Sequence, residues 1–173
     1  MADPILTAFL RKSHTAAMAL AAASDRLVLI PEPGEIPQRY IAEFHCHSLV
    51  RLDSGEITVA EFFRIGIAFH DDYLKSRPNT MRLLTWLEPE AGIWHPNVAA
   101  PFVCPGDLRM GTDLVGILFQ LYEILTHQKF ATADCLNPVA AEFARANLSR
   151  FPIDPRPLRR RAVQIQQIEG ATP

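Results

Sequence analysis

The sequence predicts an α+β domain, and three observations carry that reading. Strand-like alternation is confined to one stretch, between Arg26 and Leu87. Apolar residues recur at helical spacing before it, up to Ser24, and after it, beyond Thr112. Finally, a capping side chain followed by proline, a strong helix start, stands at Asp3-Pro4 and again at Asn137-Pro138. Strands grouped together with helices at the two ends make an α+β fold.

Each element has its own signal. A helix runs from about Pro4 to Ser24, and the Ala-rich stretch from Ala16 to Ala23 belongs to it. "RLVLIP" is a short strand, ended by the turn-rich "PEPGEIP". In "RYIAEFHCH", Tyr40, Ala42, Phe44 and Cys46 alternate with Ile41, Glu43, His45 and His47, the period of a half-buried strand. "LDSGE" is a turn. "FFRIGIAFH" sets Phe63, Ile65, Ile67 and Phe69 on one face, and "TMRLLTWL" is the fourth strand candidate. Thr112 or Asp113 caps a helix with Leu114, Leu118, Leu121 and Leu125 in its stripe, widened by Ile117 and Ile124. Asn137 caps a second, reaching about Asn147. The expected organisation is one domain over 1–150 and a Pro/Arg-rich tail over 151–173, loosely packed or disordered.

The composition excludes several function classes. With 49% apolar and 21% charged residues in 173, the chain is globular and large enough to bury a core. A net charge of −2 argues against nucleic acid as a partner. No apolar run approaches the ~20 residues that span a bilayer, so no membrane partner is expected. "MADPILTAFLRKSH" lacks the basic start and apolar core of a signal peptide. Three widely spaced cysteines, Cys46, Cys104 and Cys135, read as reduced thiols of a cytoplasmic protein. In "FHCHS", His45 and His47 point one way from a strand and Cys46 the other. Two same-face histidines without a second pair cannot close a tetrahedral site, so no metal is expected.

The stretch with chemical content is "GIWHPNVAAPFVCPGDL", Gly92 to Leu108. Cys104 sits where Pro105 and Gly106 break regular structure, and a loop thiol on a rigid scaffold is reachable. From the residues alone it is either a nucleophile or a buried structural cysteine. His95 is a candidate base, and Asn97 a candidate oxyanion donor.

"HPNV" followed by the cysteine resembles the active-site segment of ubiquitin-conjugating enzymes. Upstream, "FFRIGIAFHDDYLKSRPNTMRLLT" is similar to that family's strand, turn, proline-containing loop and next strand. Downstream, "ADCLNPVAAEFARAN" resembles its "DPLNPEAA" helix start. The resemblance covers about Arg39 to Asn147. It implies a ubiquitin-conjugating fold: N-terminal helix, four-stranded antiparallel meander, catalytic loop and two C-terminal helices. It also implies that Cys104 carries a ubiquitin-like protein as a thioester on its C-terminal glycine. Asn97 then donates either to the oxyanion or to the backbone that shapes the site. His95 pins the loop or acts as a base, and Asp134 matches the acidic residue that gates the cleft. The implied partners are an activating enzyme, the ubiquitin-like protein and a target protein, with no cofactor.

Three departures stand out. Pro105 and Gly106 replace the family's Leu and Asp after the cysteine. "MGTD" stands where Trp-Ser-Pro is often found, and Cys135 replaces a proline. Cys135 is either a small apolar residue or a second thiol able to lock Cys104. The alanine–arginine bias and the "RFPIDPRPLRRR" ending look most like the bacterial branch of the family. There such enzymes serve phage-defence operons, sometimes with a deconjugating metallopeptidase, Bil-type first and CBASS-type second. The rival implied reading is a catalytically inactive adaptor that keeps the fold. On the leading helix, Arg11, Lys12 and His14 form a basic face, either solvated or a docking surface for the activating enzyme. Lysine occurs only at positions 12, 75 and 129. A GC-rich genome explains that; so does a thioester carrier that avoids acylating itself, since guanidinium is a poor acceptor.

Overall fold

The computed structural model describes residues 3–90, 92–130 and 135–159. Helix α1, Pro4–Ala22, starts where the sequence places it, with Asp3 Oδ1 accepting from the N–H of Ile5 at 2.9 Å. Its buried stripe is Leu6, Leu10, Ala17 and Leu20. Four antiparallel strands follow in the order β1-β2-β3-β4: β1 Leu27–Pro31, β2 Arg39–Arg51, β3 Ile57–Ala68 and β4 Leu84–Glu88. Register sets Tyr40 opposite Ile67, Ala42 opposite Ile65 and Phe44 opposite Phe63. These side chains, with Leu29, Cys46, Leu84 and Trp86, make the buried face of the sheet. Against it pack α1 and α3, Leu114–Leu125, whose leucine stripe is fully buried. Asp113 caps α3 through the N–H of Gly116, and the buried Ser13 hydroxyl of α1 accepts from the N–H of Leu114 at 2.7 Å. Helix α4, Pro138–Ala146, is capped by Asn137. This is the α+β arrangement that the sequence predicts.

Three details differ from expectation. Strand β2 runs on through a bulge between His45 and Ser48, after which Ser48, Leu49 and Val50 are buried in succession. An extra residue resets the alternation and turns the end of the strand toward a second, smaller core around Leu49, Trp94 and Ala140. "TMRL" is not strand: Asn79 caps a single helical turn, α2 Thr80–Leu83, before β4 begins. The side chain of Asn79 satisfies a free N–H there, which favours the turn over extension.

The third correction concerns the tail. Residues 151–159 are not loosely packed. Leu158 is buried in the main core, and its carbonyl accepts from the hydroxyl of Ser24. Asp154, 1% exposed, accepts from the N–H of His47 at 3.0 Å and from the guanidinium of Arg156 at 2.6 and 2.7 Å. Burial pushes its carboxyl up, but the Arg156 side chain and the two N–H groups outweigh that and hold it well below the carboxylate range. Composition missed this because one buried carboxylate and one leucine suffice to dock a short polar segment. Arg160 to Pro173 lie outside the described residues. No described helix is long and apolar enough to cross a membrane.

Candidate active site

The segment from Gly92 to Leu108 is anchored to the sheet at both ends. Trp94 N–H donates to the Leu49 carbonyl at 2.7 Å, beyond the bulge of β2. Trp86 N–H, on the edge strand β4, donates to the Pro101 carbonyl at 2.8 Å. Between these anchors the chain folds into a small hairpin, β5 Val98–Ala99 and β6 Phe102–Val103, with Val98 opposite Val103 and Ala99 opposite Phe102. Continuing that register by one step sets Asn97 opposite Cys104. The structure bears this out: Cys104 N–H donates to the Asn97 carbonyl at 2.9 Å, and Asn97 Nδ2 donates to the Cys104 carbonyl at 3.0 Å. Asn97 is 4% exposed. Of the two roles open to it, its amide takes the backbone-shaping one in this geometry.

His95 is fully buried. Its Nδ1 accepts from the N–H of Asn97 at 3.0 Å, so Nε2 carries the proton and donates to the Lys129 carbonyl at 3.1 Å. Burial, and then the neighbouring His127, push its pKa well below the usual value. Both ring nitrogens are committed to main-chain partners, the geometry of a residue that pins the loop and not of a free base. The ring pins the turn that presents Asn97.

Sequence reasoning missed His127. It adopts φ +57°, lies 2% exposed, and donates from Nε2 to the Trp94 carbonyl at 3.1 Å. Its ring stands 4.6 Å from that of His95, edge to face, and stacks on Phe151 at 4.9 Å. Burial lowers its pKa to about 4. No local motif marks such a residue, because its partners come from β2, the triplet segment and the tail.

Cys104 ends the hairpin and is partly exposed. It opens onto a groove of about 350 Å³ lined by Pro78, Asn79, Met81, Leu108 and Leu136. Arg77 and Asp107 form an exposed ion pair at 2.7 Å beside it. Cys104 therefore borders a groove whose lining is largely apolar. Cys135 is also a partly exposed free thiol, next to Leu136 of the same groove. Asp134 lies outside the described residues. The structure thus brings together Cys104, Asn97 and His95 of the predicted site residues, with His95 beneath the loop.

Cys46 faces the core, where burial pushes its thiol up to about 12, and His47 pairs with Glu61 at 3.0 Å. Among the described residues, no group of three His, Cys, Asp or Glu side chains is placed to hold a metal ion.

No family model matches the chain, and no curated protein matches it by sequence. By fold it is similar to a solved structure described as a "Novel Ubiquitin-Conjugating Enzyme", with a TM-score of 0.55 at 16% identity. The match covers 84% of this chain and 88% of that one. At this identity the likeness is one of fold, and it coincides with the architecture that the sequence resemblance implies.

Proposed function

We propose that the chain is a ubiquitin-conjugating enzyme: Cys104 accepts the C-terminal glycine of a ubiquitin-like protein from an activating enzyme and passes it to an amine on a target protein. The observation that carries this reading is the thiol's position. It is part-exposed, at the end of a hairpin that locks it opposite Asn97, and it faces a groove in a fold of the conjugating type.

In the first step the Cys104 thiolate attacks the thioester carbonyl of the activating enzyme. The tetrahedral oxyanion collapses with loss of that enzyme's thiolate, so one C–S bond forms as another breaks. In the second step an amine attacks the new thioester; a C–N bond forms, the Cys104 sulfur leaves, and the amine gives up a proton. Thioester to thioester is nearly balanced and thioester to amide is downhill, so the protein supplies orientation rather than driving force. Asn97 and His95 act by fixing the loop. Asp134 is proposed to orient the incoming amine and favour its neutral form.

The composition bias and the arginine-rich ending support a bacterial, cytoplasmic setting in anti-phage defence, in a Bil-type operon before a CBASS-type one. A deconjugating metallopeptidase is the further partner such a setting supplies. The test mixes the chain with the activating enzyme and the ubiquitin-like protein encoded beside it, and ATP. We expect an adduct cleaved by thiols, lost in Cys104→Ala and retained in Cys135→Ala. An adduct that survives Cys104→Ala refutes the assignment. Stable binding with no adduct in the unaltered chain identifies the adaptor instead.

A further inference from the structure

The lip after Cys104 is packed at both ends, with Pro105 and Leu108 buried, but its main chain is held by few hydrogen bonds. Pro105 has no N–H to donate, and Gly106 stands at φ +93°, where an L side chain is strained. Among the described residues, the main chain of 105–108 makes a single hydrogen bond, from Lys129 Nζ to the Pro105 carbonyl at 3.0 Å. A Cβ placed on Gly106 would stand 3.5 Å from Nζ and 3.6 Å from Cε, so the lysine side chain lies along the glycine. The main chain of the same residue holds the triplet, since the Lys129 carbonyl accepts from His95 Nε2. Its own N–H is tied back to α3, at the Glu123 carbonyl, 3.1 Å away. The nearby carboxylate of Asp107 is paired with Arg77. One residue therefore joins α3, the buried histidine and the lip that carries the thiol.

We infer that Lys129 is a further positioning residue of the Cys104 loop, acting on the lip beyond the reach of Asn97 and His95. Its ammonium straps the Pro105 carbonyl, fixing the direction in which the sulfur meets the groove. It also sets a positive charge one residue from the atom that bears the acyl group, where an oxyanion develops during each transfer. The inference rests on the reading of Cys104 as acyl carrier. The lip explains the need: among the described residues no hydrogen bond joins 105–108 to itself, so the lysine supplies the one that holds its main chain.

The experiment uses the full chain and a small donor, the 2-mercaptoethanesulfonate thioester of acetyl-glycyl-glycine, with glycinamide as acceptor. Intact mass follows acylation of Cys104 and its discharge. Lys129→Met is expected to slow both steps roughly five- to tenfold in maximal rate, with little change in half-saturating donor concentration and an unchanged thermal midpoint. Lys129→Arg, which can still donate to the Pro105 carbonyl, is expected to recover to within about twofold of the unaltered chain. Equal rates for Lys129→Met and the unaltered chain overturn the inference and leave the Cys104 reading standing. So does a Lys129→Arg chain as slow as Lys129→Met. If the unaltered chain takes no acyl group at Cys104, the reading of Cys104 falls, and the inference with it.

Discussion

Acidification between pH 7 and pH 5 should destabilise this protein before any carboxylate is titrated. His127 is buried neutral, with a folded pKa of about 4 against about 6.5 in an unfolded chain. Within that window the unfolded state binds the proton that the folded state refuses, so stability falls as pH falls. At pH 5 an unfolded histidine is protonated roughly thirtyfold over its neutral form, while folded His127 remains mostly neutral. The difference amounts to about 2 kcal/mol lost relative to pH 7. His95, lowered further by burial and by His127 beside it, adds to the loss in the same direction. Asp154 acts in a separate window: its folded carboxyl is depressed, so its contribution is full above about pH 4 and declines only below that. Urea unfolding at pH 7, 6 and 5 reads the effect as a falling midpoint at constant slope. His127→Asn, which tolerates the left-handed backbone, should cost stability at pH 7 but flatten the pH dependence by about 2 kcal/mol. Equal midpoints at pH 7 and pH 5, or an Asn variant with the same pH dependence as the unaltered chain, would refute the reasoning.

Other perturbations have equally definite outcomes. Asn97→Ala removes the buried amide that holds the Cys104 carbonyl and should cost about 1–2 kcal/mol in urea, together with most of the thiol-sensitive adduct; full adduct formation would show that the clamp is dispensable. Asp154→Ala strips the partner from the His47 N–H and from Arg156, and should cost about 2–4 kcal/mol; a loss below about 0.5 kcal/mol would mean that 151–159 docks without it. Charged chain left without acceptor should acylate Lys129 slowly, because its Nζ is engaged by the Pro105 carbonyl. Rapid appearance of an isopeptide there, read by peptide mass mapping, would overturn that expectation.

The parts of the fold legible in the sequence are those with local causes. Asp3 and Asn137 cap their helices because a short polar side chain before proline does so wherever it occurs. The alternation from Tyr40 to Cys46 holds because each side chain sees the same core. It fails at Ser48, since a bulge inserts a residue for reasons that lie across the sheet, in the docking of Trp94 on Leu49. "TMRL" fails for the opposite reason: apolar residues that suit a strand were outvoted by one asparagine cap. His127, Lys129 and Asp154 were illegible as a group. Each joins segments far apart in the chain, and no spacing records that.

The seven-residue separation of Asn97 and Cys104 was legible, although its cause was not. Two paired residues on each side of a two-residue turn place positions 97 and 104 opposite one another, so the spacing is a register. That register fits the proposed function, which calls for no proton shuttle beneath the site. An asparagine that must oppose the cysteine has to be presented from a rigid turn, and the ring that stiffens the turn is used up in doing so: His95 spends one nitrogen on Asn97 and the other on Lys129. The proposed thioester exchange tolerates this arrangement, since the reaction is close to isoenergetic. A hydrolase would not, because its nucleophile depends on a base held within hydrogen-bonding reach. The burial that keeps His95 and His127 neutral is the same burial that fixes the loop, and it fits the proposed acyl carriage at Cys104 better than hydrolysis.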